Sequence, residues 1–470
     1  MDKTAKEWKE LLCYKKKNGA LRLDEQQWTE VNSFCGGYQR FLNRARTERE
    51  AVEVILSEAE QHGFVPFSPK ASYHAGDKVY LNNRDKSVIL AVIGEEPLEQ
   101  GVHVVAAHLD SPRLDLKPNP LYESHEMAFF KTHYYGGIKK YQWATIPLSL
   151  HGVVIKQNGE RVSVRIGDEP GDPVFCVNDL LIHLATEQMK RPSKDAIAGE
   201  ELNVLIGLHP FRDDQESEKV KLAILRLLYE KYNITERDFI SAELEMVPAF
   251  PASDVGFDRS MIGGYGQDDR VCAYTAVQAI LSCKTLQRTA VVVLADKEEI
   301  GSDGNTGLNS SFFPYFIEDL AAIFQTNGRT VLSNSHCISA DVNAGFDPTF
   351  PDVSEQNNAA FCNYGVVVTK YTGSRGKSGT SDASAEFVDQ ITRLLDRENI
   401  IWQTGELGKV DAGGGGTVAM FLANLNMNVV DVGIPVLSMH APFEVTSKVD
   451  IYQAYRTYHS FLQAKGLSER

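Results

Sequence analysis

Five short segments of this chain carry imidazole or carboxylate groups next to apolar runs. His108 and Asp110 follow Val104-Val105-Ala106-Ala107, Glu298-Glu299 follow Val291-Val292-Val293-Leu294-Ala295, Asp341 follows Ile338-Ser339-Ala340 and His440 follows Val436-Leu437. A fifth cluster, Asp268-Asp269, precedes a helical stretch that begins near Arg270. Imidazole nitrogen with carboxylate oxygen suits zinc and similar divalent ions, and carboxylates that bridge allow two ions a few ångströms apart. With His108, Asp268, Glu299, Asp341 and His440 as ligands, three carboxylates face two divalent ions, which leaves one positive charge for a hydroxide. If Asp268 is shared, one ion takes His108, Asp268 and Asp341 and the other takes Asp268, Glu299 and His440, so each keeps an open place.

Adjacent carboxylates can divide the work. Glu299 binds metal in this reading, while Glu298 stays off it, accepts a proton from water and delivers it to a leaving amine. Asp110, two residues beyond His108, is placed to hold the imidazole tautomer. Taken singly, a His-x-Asp or a Glu-Glu pair also fits a solvated surface, and Asp268-Asp269 also fits an ordinary helix N-cap. Their convergence beyond strand ends argues for a site, because ligands of open α/β sheets bind outside the carboxyl ends of the strands.

The elements that must position these groups are legible as hydrophobic periodicity. Thr29 to Gly63 reads as helical, and β-branched runs follow at Ser87–Gly94 and Gly101–Ala107. From Arg113 to Ala252 the character changes to short alternating strands such as Leu148–Ile155 and Arg161–Ile166, with helical candidates at Val177–Met189 and Glu216–Lys231. After Gly263 strand and helix alternate again. The predicted fold is α/β, a mostly parallel sheet with helices on both faces, with a β-rich domain inserted into it. The predicted boundaries are residues 1–112 and 253–470 for the catalytic domain and 113–252 for the insert.

Composition narrows the class. With 470 residues, 43% hydrophobic and 24% charged, the chain can bury a large core. A formal net charge of -15 argues against nucleic-acid or anionic-membrane partners and favours a small or peptide ligand. No run approaches the roughly 18 apolar residues of a membrane span. The charged stretch Met1–Glu7 leads into no apolar segment and does not read as a secretory signal. Seven widely spaced cysteines without a Cys-x-x-Cys pair read as reduced thiols of a cytoplasmic protein.

The segments Ala107-His108-Leu109-Asp110-Ser111-Pro112, Gly266-Gln267-Asp268-Asp269-Arg270, Asp296-Lys297-Glu298-Glu299-Ile300-Gly301-Ser302, Ser339-Ala340-Asp341 and Ser438-Met439-His440 resemble, in order, those of the aspartyl aminopeptidase and vacuolar aminopeptidase I family of zinc peptidases. The resemblance implies a two-zinc aminopeptidase acting on peptide N-termini, with His108, Asp268, Glu299, Asp341 and His440 as metal ligands. It also implies Glu298 as catalytic base and Asp110 as the residue that orients a zinc-bound histidine. Cobalt or manganese could occupy such mixed N/O sites. It further implies that the insert mediates dimer contacts and that dimers assemble into a hollow homo-dodecamer. Tyr134-Tyr135-Gly136-Gly137-Ile138 is similar to a glycine-rich stretch of the family's insert, whereas Trp143-Ala144-Thr145-Ile146-Pro147-Leu148 stands where many members carry an Asp-Arg pair.

His183 has two readings. It resembles a family histidine that reaches a neighbouring subunit's active site, and it also fits a helix histidine half-buried against the insert's core. The run Asp411-Ala412-Gly413-Gly414-Gly415-Gly416-Thr417 could present backbone N–H groups to a substrate, and Lys370, Arg375 and Lys377 fall near the expected specificity pocket. The missing Asp-Arg pair points to a broad or neutral preference for the N-terminal residue rather than an acidic one. Rival functions are a two-zinc carboxypeptidase or amide deacylase, with similar ligands but a different grip on the substrate's ends, and a non-catalytic cage-forming scaffold. A scaffold has no need of an acid such as Glu298 beside the ligands.

Overall fold

Long uninterrupted runs of Val, Ile, Leu and Ala can be buried only where a strand is covered on both faces. In the computed structural model, which describes residues 3–212, 216–465 and 467, such runs form the middle of a nine-stranded sheet. Its order is Val65–Pro66, Lys78–Asn83, Ser87–Val92, Ala290–Ala295, His103–His108, His336–Ser339, Asn428–Gly433, Val366–Thr369 and Trp402–Thr404. The four strands from Ala290–Ala295 to Asn428–Gly433 run parallel to one another. Ser87–Val92 and Val366–Thr369 flank them in antiparallel sense.

Alternation along each strand sends side chains to opposite faces. Val105, Ala107, Val292, Leu294 and Ile338 join a core with Phe41, Ile55, Val277, Ile391 and Phe461, which come from five helices. Val104, Ala106, Val291, Val293 and Cys337 join a second core with Phe316, Leu332 and Leu422 on the other side. The sheet is thus the middle layer of three.

A second, seven-stranded sheet is antiparallel throughout. Its order is Arg161–Ile166, Leu148–Ile155, Ala242–Pro248, Arg113–Ser124, Met127–Tyr135, Asn203–Gly207 and Cys176–Val177. His125 and Glu126, both at positive φ (49° and 60°), close the hairpin between its two longest strands. A third sheet of five strands, Ser253–Val255, Met261–Gly264, Glu444–Ser447, Pro435–Leu437 and Asn343–Ala344, lies elsewhere in the topology.

The seven-stranded sheet is joined to the helices by a buried charge cluster. His151 Nδ1 lies 2.9 Å from Glu50 Oε1, and its Nε2 lies 3.1 Å from Asp168 Oδ2. Arg165 Nε reaches the same Glu50 oxygen at 2.8 Å. Burial alone would lower the His151 pKa, but the hydrogen bonds from Asp168 and Glu50 and their charges raise it to about 9.

Two helix expectations need correction. The helical pattern from Thr29 to Gly63 is two helices, Glu25–Arg44 and Glu48–Gln61, because the Thr47 side chain accepts the Glu50 N–H and starts a new helix. Val177–Met189 is not a helix. Cys176–Val177 pairs with Val204–Leu205 as an edge strand, and only short 3₁₀ turns follow at Ile182–Leu184 and Gln188–Lys190. Helices draw most of their stability from packing an apolar face, and here Leu181, Ile182 and Leu184 are exposed. The Glu216–Lys231 candidate is the helix Lys219–Tyr232.

Among the described residues, no helix is long and apolar enough to cross a membrane.

Candidate active site

His108 is the last residue of its strand, and the chain turns there so that Asp110 returns to the ring. His108 Nδ1 lies 3.0 Å from the Asp110 carbonyl oxygen and 3.4 Å from Asp110 Oδ1. The neighbouring parallel strand, Ala290–Ala295, ends level with it and leads into a single 3₁₀ turn at Glu298–Ile300. The Glu298 and Glu299 N–H groups donate to the two carboxylate oxygens of Asp110, each at 3.1 Å. Asp110 therefore holds the histidine through its carbonyl oxygen and the glutamate turn through its buried carboxylate.

Asp268 comes from the start of helix Gln267–Leu281, where Asp268 and Asp269 leave helical φ/ψ (ψ 106° and 26°) and face the strand ends. Gly266 (φ 74°) lies just before them; a side chain there would be strained by the positive φ and would have to displace the Arg270 guanidinium, whose Nη1 would lie 2.1 Å from its Cβ. His440 also has positive φ, 64°, and follows Pro435–Leu437. That strand belongs to the five-stranded sheet, whereas the strands before His108, Glu299 and Asp341 belong to the nine-stranded one.

The two imidazoles converge on one carboxylate. His108 Nε2 is 3.2 Å from Asp268 Oδ1, and His440 Nε2 is 3.2 Å from Asp268 Oδ2. His440 Nε2 is also 3.5 Å from Glu299 Oε2, and Glu298 Oε2 is 3.9 Å from His108 Nε2. Ligand-type atoms of His108, Asp268 and Glu299 lie within 4.8 Å of one another, as do those of His108, Asp269 and Asp341. The grouping differs from the sequence reading in two respects: His108 rather than His440 groups with Asp268 and Glu299, and Asp269 rather than Asp268 joins Asp341 beside His108.

Burial raises the carboxyl pKa values of Glu299 and Asp341 well above the usual range, and neighbouring acids add to it. Burial also lifts Glu298 to about 7, partly offset by His108. Asp268 is the exception: burial raises it, but its hydrogen bonds to the two histidines hold it below the ordinary value. For His440, burial works downward and the bond to Asp268 and the Glu299 charge overcome it, to about 10.

These residues fit a divalent-metal pair. Each histidine has its Nδ1 against a carbonyl oxygen, Asp110 O for His108 and Gly137 O (2.8 Å) for His440. A carbonyl only accepts, so Nδ1 carries hydrogen in each ring, and Nε2, which bonds Asp268 here, is the nitrogen that would give its lone pair to a metal on losing its proton. Two such nitrogens on one carboxylate, with Asp269 Oδ1 and Glu299 Oε1 buried and lacking hydrogen-bond partners, form a donor set that a cation satisfies.

Two residues that the sequence reading missed hold this arrangement. Glu444 is buried, and its carboxylate accepts N–H groups from Gln267 (2.7 Å), Asp268 (3.2 Å) and His440 (2.7 Å). Its one sequence signal is an acid four residues after His440. Tyr135 donates its hydroxyl to Asp110 Oδ2 at 2.8 Å.

His183 is exposed on the turn Ile182–Leu184, not half-buried on a helix, and takes part in none of these contacts. The glycine run packs its Gly415 N–H on Thr372 O, beside a cavity of about 170 Å³ lined by Tyr371, Arg375, Lys377 and Glu406. Lys370 and Lys377 both pair with Asp382, at 2.9 and 2.8 Å.

Residues 41–462 match the model of the aminopeptidase I zinc metalloprotease family, M18. The chain is 48% identical to a probable M18 family aminopeptidase 1 of Clostridium acetobutylicum, over 95% of this chain and 98% of that one. Its fold is similar to the crystal structure of an M18 aminopeptidase from Thermotoga maritima, with a TM-score of 0.92 and 43% identity, covering 96% of this chain and all of the other. It is also similar in fold to a yeast aminopeptidase 1 dodecamer, at 21% identity and a TM-score of 0.74 over 92% of this chain and 95% of that one. The mixed α/β architecture matches that of M18 aminopeptidases. The chain belongs to the M18 family of zinc aminopeptidases.

Proposed function

We propose that this aminopeptidase releases single N-terminal residues from peptides with a two-zinc centre held by His108, Asp268, Glu299, Asp341 and His440. The observation that carries the reading is that both Nε2 atoms lie 3.2 Å from opposite oxygens of the one Asp268 carboxylate, so that Asp268 would hold metal together with either histidine. Zinc, when bound, supplies the Lewis acidity that polarises the scissile carbonyl and makes water nucleophilic near neutral pH.

The chain's own residues do the rest. Glu298, 16% exposed and beside His108, takes the proton of the attacking water on its carboxylate and passes it to the nitrogen of the departing peptide. Asp110 holds the His108 ring and the Glu298 backbone, so base and imidazole keep one spacing. Glu299 differs from Glu298 in facing His440, which supports ligand rather than base. Cobalt or manganese would suit the same donors.

Further parts of the proposal follow from the same family reading. Residues 113–252, which supply the seven-stranded sheet, serve as an inserted dimerisation domain in the catalytic body formed by 1–112 and 253–470. The exposed Leu180, Leu181, Ile182 and Leu184 around His183 support an interface there, with His183 facing a neighbouring subunit. Assembly into a homo-dodecamer is supported by the shared fold with the yeast dodecamer. The seven cysteines are all free, which supports the cytoplasm. Pairing of Lys370 and Lys377 with Asp382 leaves less positive charge for an acidic side chain and supports a neutral-residue preference.

The test is turnover of dipeptides blocked at either end, with and without a chelator. Cleavage of carboxy-blocked but not amino-blocked dipeptides, lost on chelation, is the expected result. The reverse selectivity would make the chain a carboxypeptidase or deacylase.

A further inference from the structure

The strand Met127–Tyr135 of the seven-stranded sheet ends against the site, and the residues at that end meet it at three points. Tyr135 Oη donates to Asp110 Oδ2 at 2.8 Å, the same oxygen that accepts the Glu299 N–H. Gly136, at φ 74°, packs on Glu299 at contact distance: a Cβ there would sit 3.4 Å from both Glu299 Cβ and Glu299 Oε2, and the positive φ would strain any side chain. The Gly137 carbonyl accepts from His440 Nδ1 at 2.8 Å, and a Cβ on Gly137 would lie 3.4 Å from that nitrogen.

The segment is itself rigidly held. Arg113, paired with Tyr135 in the strand register, lays its guanidinium on the Tyr135 ring at 3.8 Å from the centroid. The same guanidinium is paired with Asp115 at 2.8 Å, Glu245 at 3.3 Å and Glu48 at 3.5 Å. Two of those acids come from the seven-stranded sheet and Glu48 from the first turn of helix Glu48–Gln61, so the ring is pinned where the two sheets' layers meet.

We propose that Tyr135, Gly136 and Gly137 form a latch that positions the metal ligands from outside the sheet that carries most of them. Tyr135 holds the Asp110 carboxylate that seats the Glu298–Glu299 turn beside His108, Gly137 sets the tautomer of His440 directly, and Gly136, at positive φ, makes the turn between them against Glu299. All three are positioning residues and none touches substrate. Partners that orient a ligating imidazole or carboxylate commonly govern metal affinity about as strongly as 10–100-fold. Because the latch is part of the seven-stranded sheet, the docking of that sheet on the helices and the geometry of the ligands become one property.

The inference rests on the two-metal reading, and the experiment separates the two. Cobalt(II) is titrated into metal-free wild-type protein, Tyr135→Phe, Gly136→Ala and the control Lys131→Ala, which lies on the same strand away from the site. Affinity is measured by chelator competition and ligand geometry by the visible absorption of the bound ion. Tyr135→Phe removes one hydroxyl and leaves the ring on Arg113; it is expected to weaken at least one cobalt about 10–100-fold and to change the absorption band, with the metal-free melting curve retained. Gly136→Ala, which strains the turn at positive φ, is expected to do the same and serves if Tyr135→Phe does not fold. Wild-type protein that takes two equivalents, with both variants matching its affinity and spectrum, overturns the latch. Wild-type protein that takes fewer than two overturns the two-metal reading and the latch with it.

Discussion

The carboxylate of Asp110 accepts the backbone N–H of Glu298 at 3.1 Å, so the residue that holds His108 also sets where the Glu298 side chain starts. Replacing Glu298 with Gln keeps that backbone bond and the side-chain size while removing the proton acceptor. Glu298→Gln is expected to bind near-normal zinc and peptide but to turn over about 10²–10⁴ times more slowly. Glu299→Gln should instead lose metal. Zinc content and kcat measured side by side check the pair, and equal metal loss in both variants would show the two glutamates wrongly assigned.

Chelation should abolish activity, and zinc, cobalt or manganese should restore it. His108→Ala and His440→Ala each remove one imidazole from the Asp268 carboxylate and should lower metal occupancy by elemental analysis. Full activity in a metal-free preparation would contradict the proposal.

Glu444→Gln tests the carboxylate that gathers Gln267, Asp268 and His440. The amide nitrogen would confront an N–H where an oxygen now accepts, and a buried donor without a partner costs about 1–3 kcal/mol. A lower melting temperature together with weaker zinc binding is expected. A variant as stable and as well loaded as wild type would show that the three N–H groups find other acceptors.

His151 gives a pH dependence whose sign is fixed by its raised pKa. The folded state binds its proton more tightly than the unfolded state, so its stabilisation is complete below about 6.5 and is lost as pH rises through about 9. The full effect is on the order of 3 kcal/mol. Wild-type melting temperature should therefore fall between pH 7 and 10 more steeply than that of His151→Gln; parallel curves would contradict it.

A neutral-residue preference predicts faster cleavage of leucine than of aspartate or glutamate p-nitroanilides. Light scattering is expected to report a dodecamer. A strong preference for the acidic substrates, or a monodisperse monomer, would overturn the respective proposal.

Much of the site was legible because each of His108, Glu299 and Asp341 follows its own strand by only a few residues, and the strands are uninterrupted apolar runs. The convergence of these residues with Asp268 and His440 was therefore a short extrapolation from local pattern. That His440 hangs from a different sheet was not legible, because Pro435–Leu437 is three residues long and pairing partners are long-range. Glu444 and Tyr135 escaped notice since they act on backbone N–H groups and on another acid, contacts that leave no spacing in the chain. The expected helix at Val177–Met189 failed for the converse reason: its apolar residues have the right rhythm but no surface of this chain to bury them.

The contribution of His440 from a separate sheet also bears on when the enzyme comes into being. Synthesis proceeds from residue 1 upward, so a growing chain exposes His108, Asp268, Glu299 and Asp341 before it has either His440 or the Glu444 carboxylate that seats it. On the proposed mechanism a ribosome-bound chain shorter than this carries an incomplete centre.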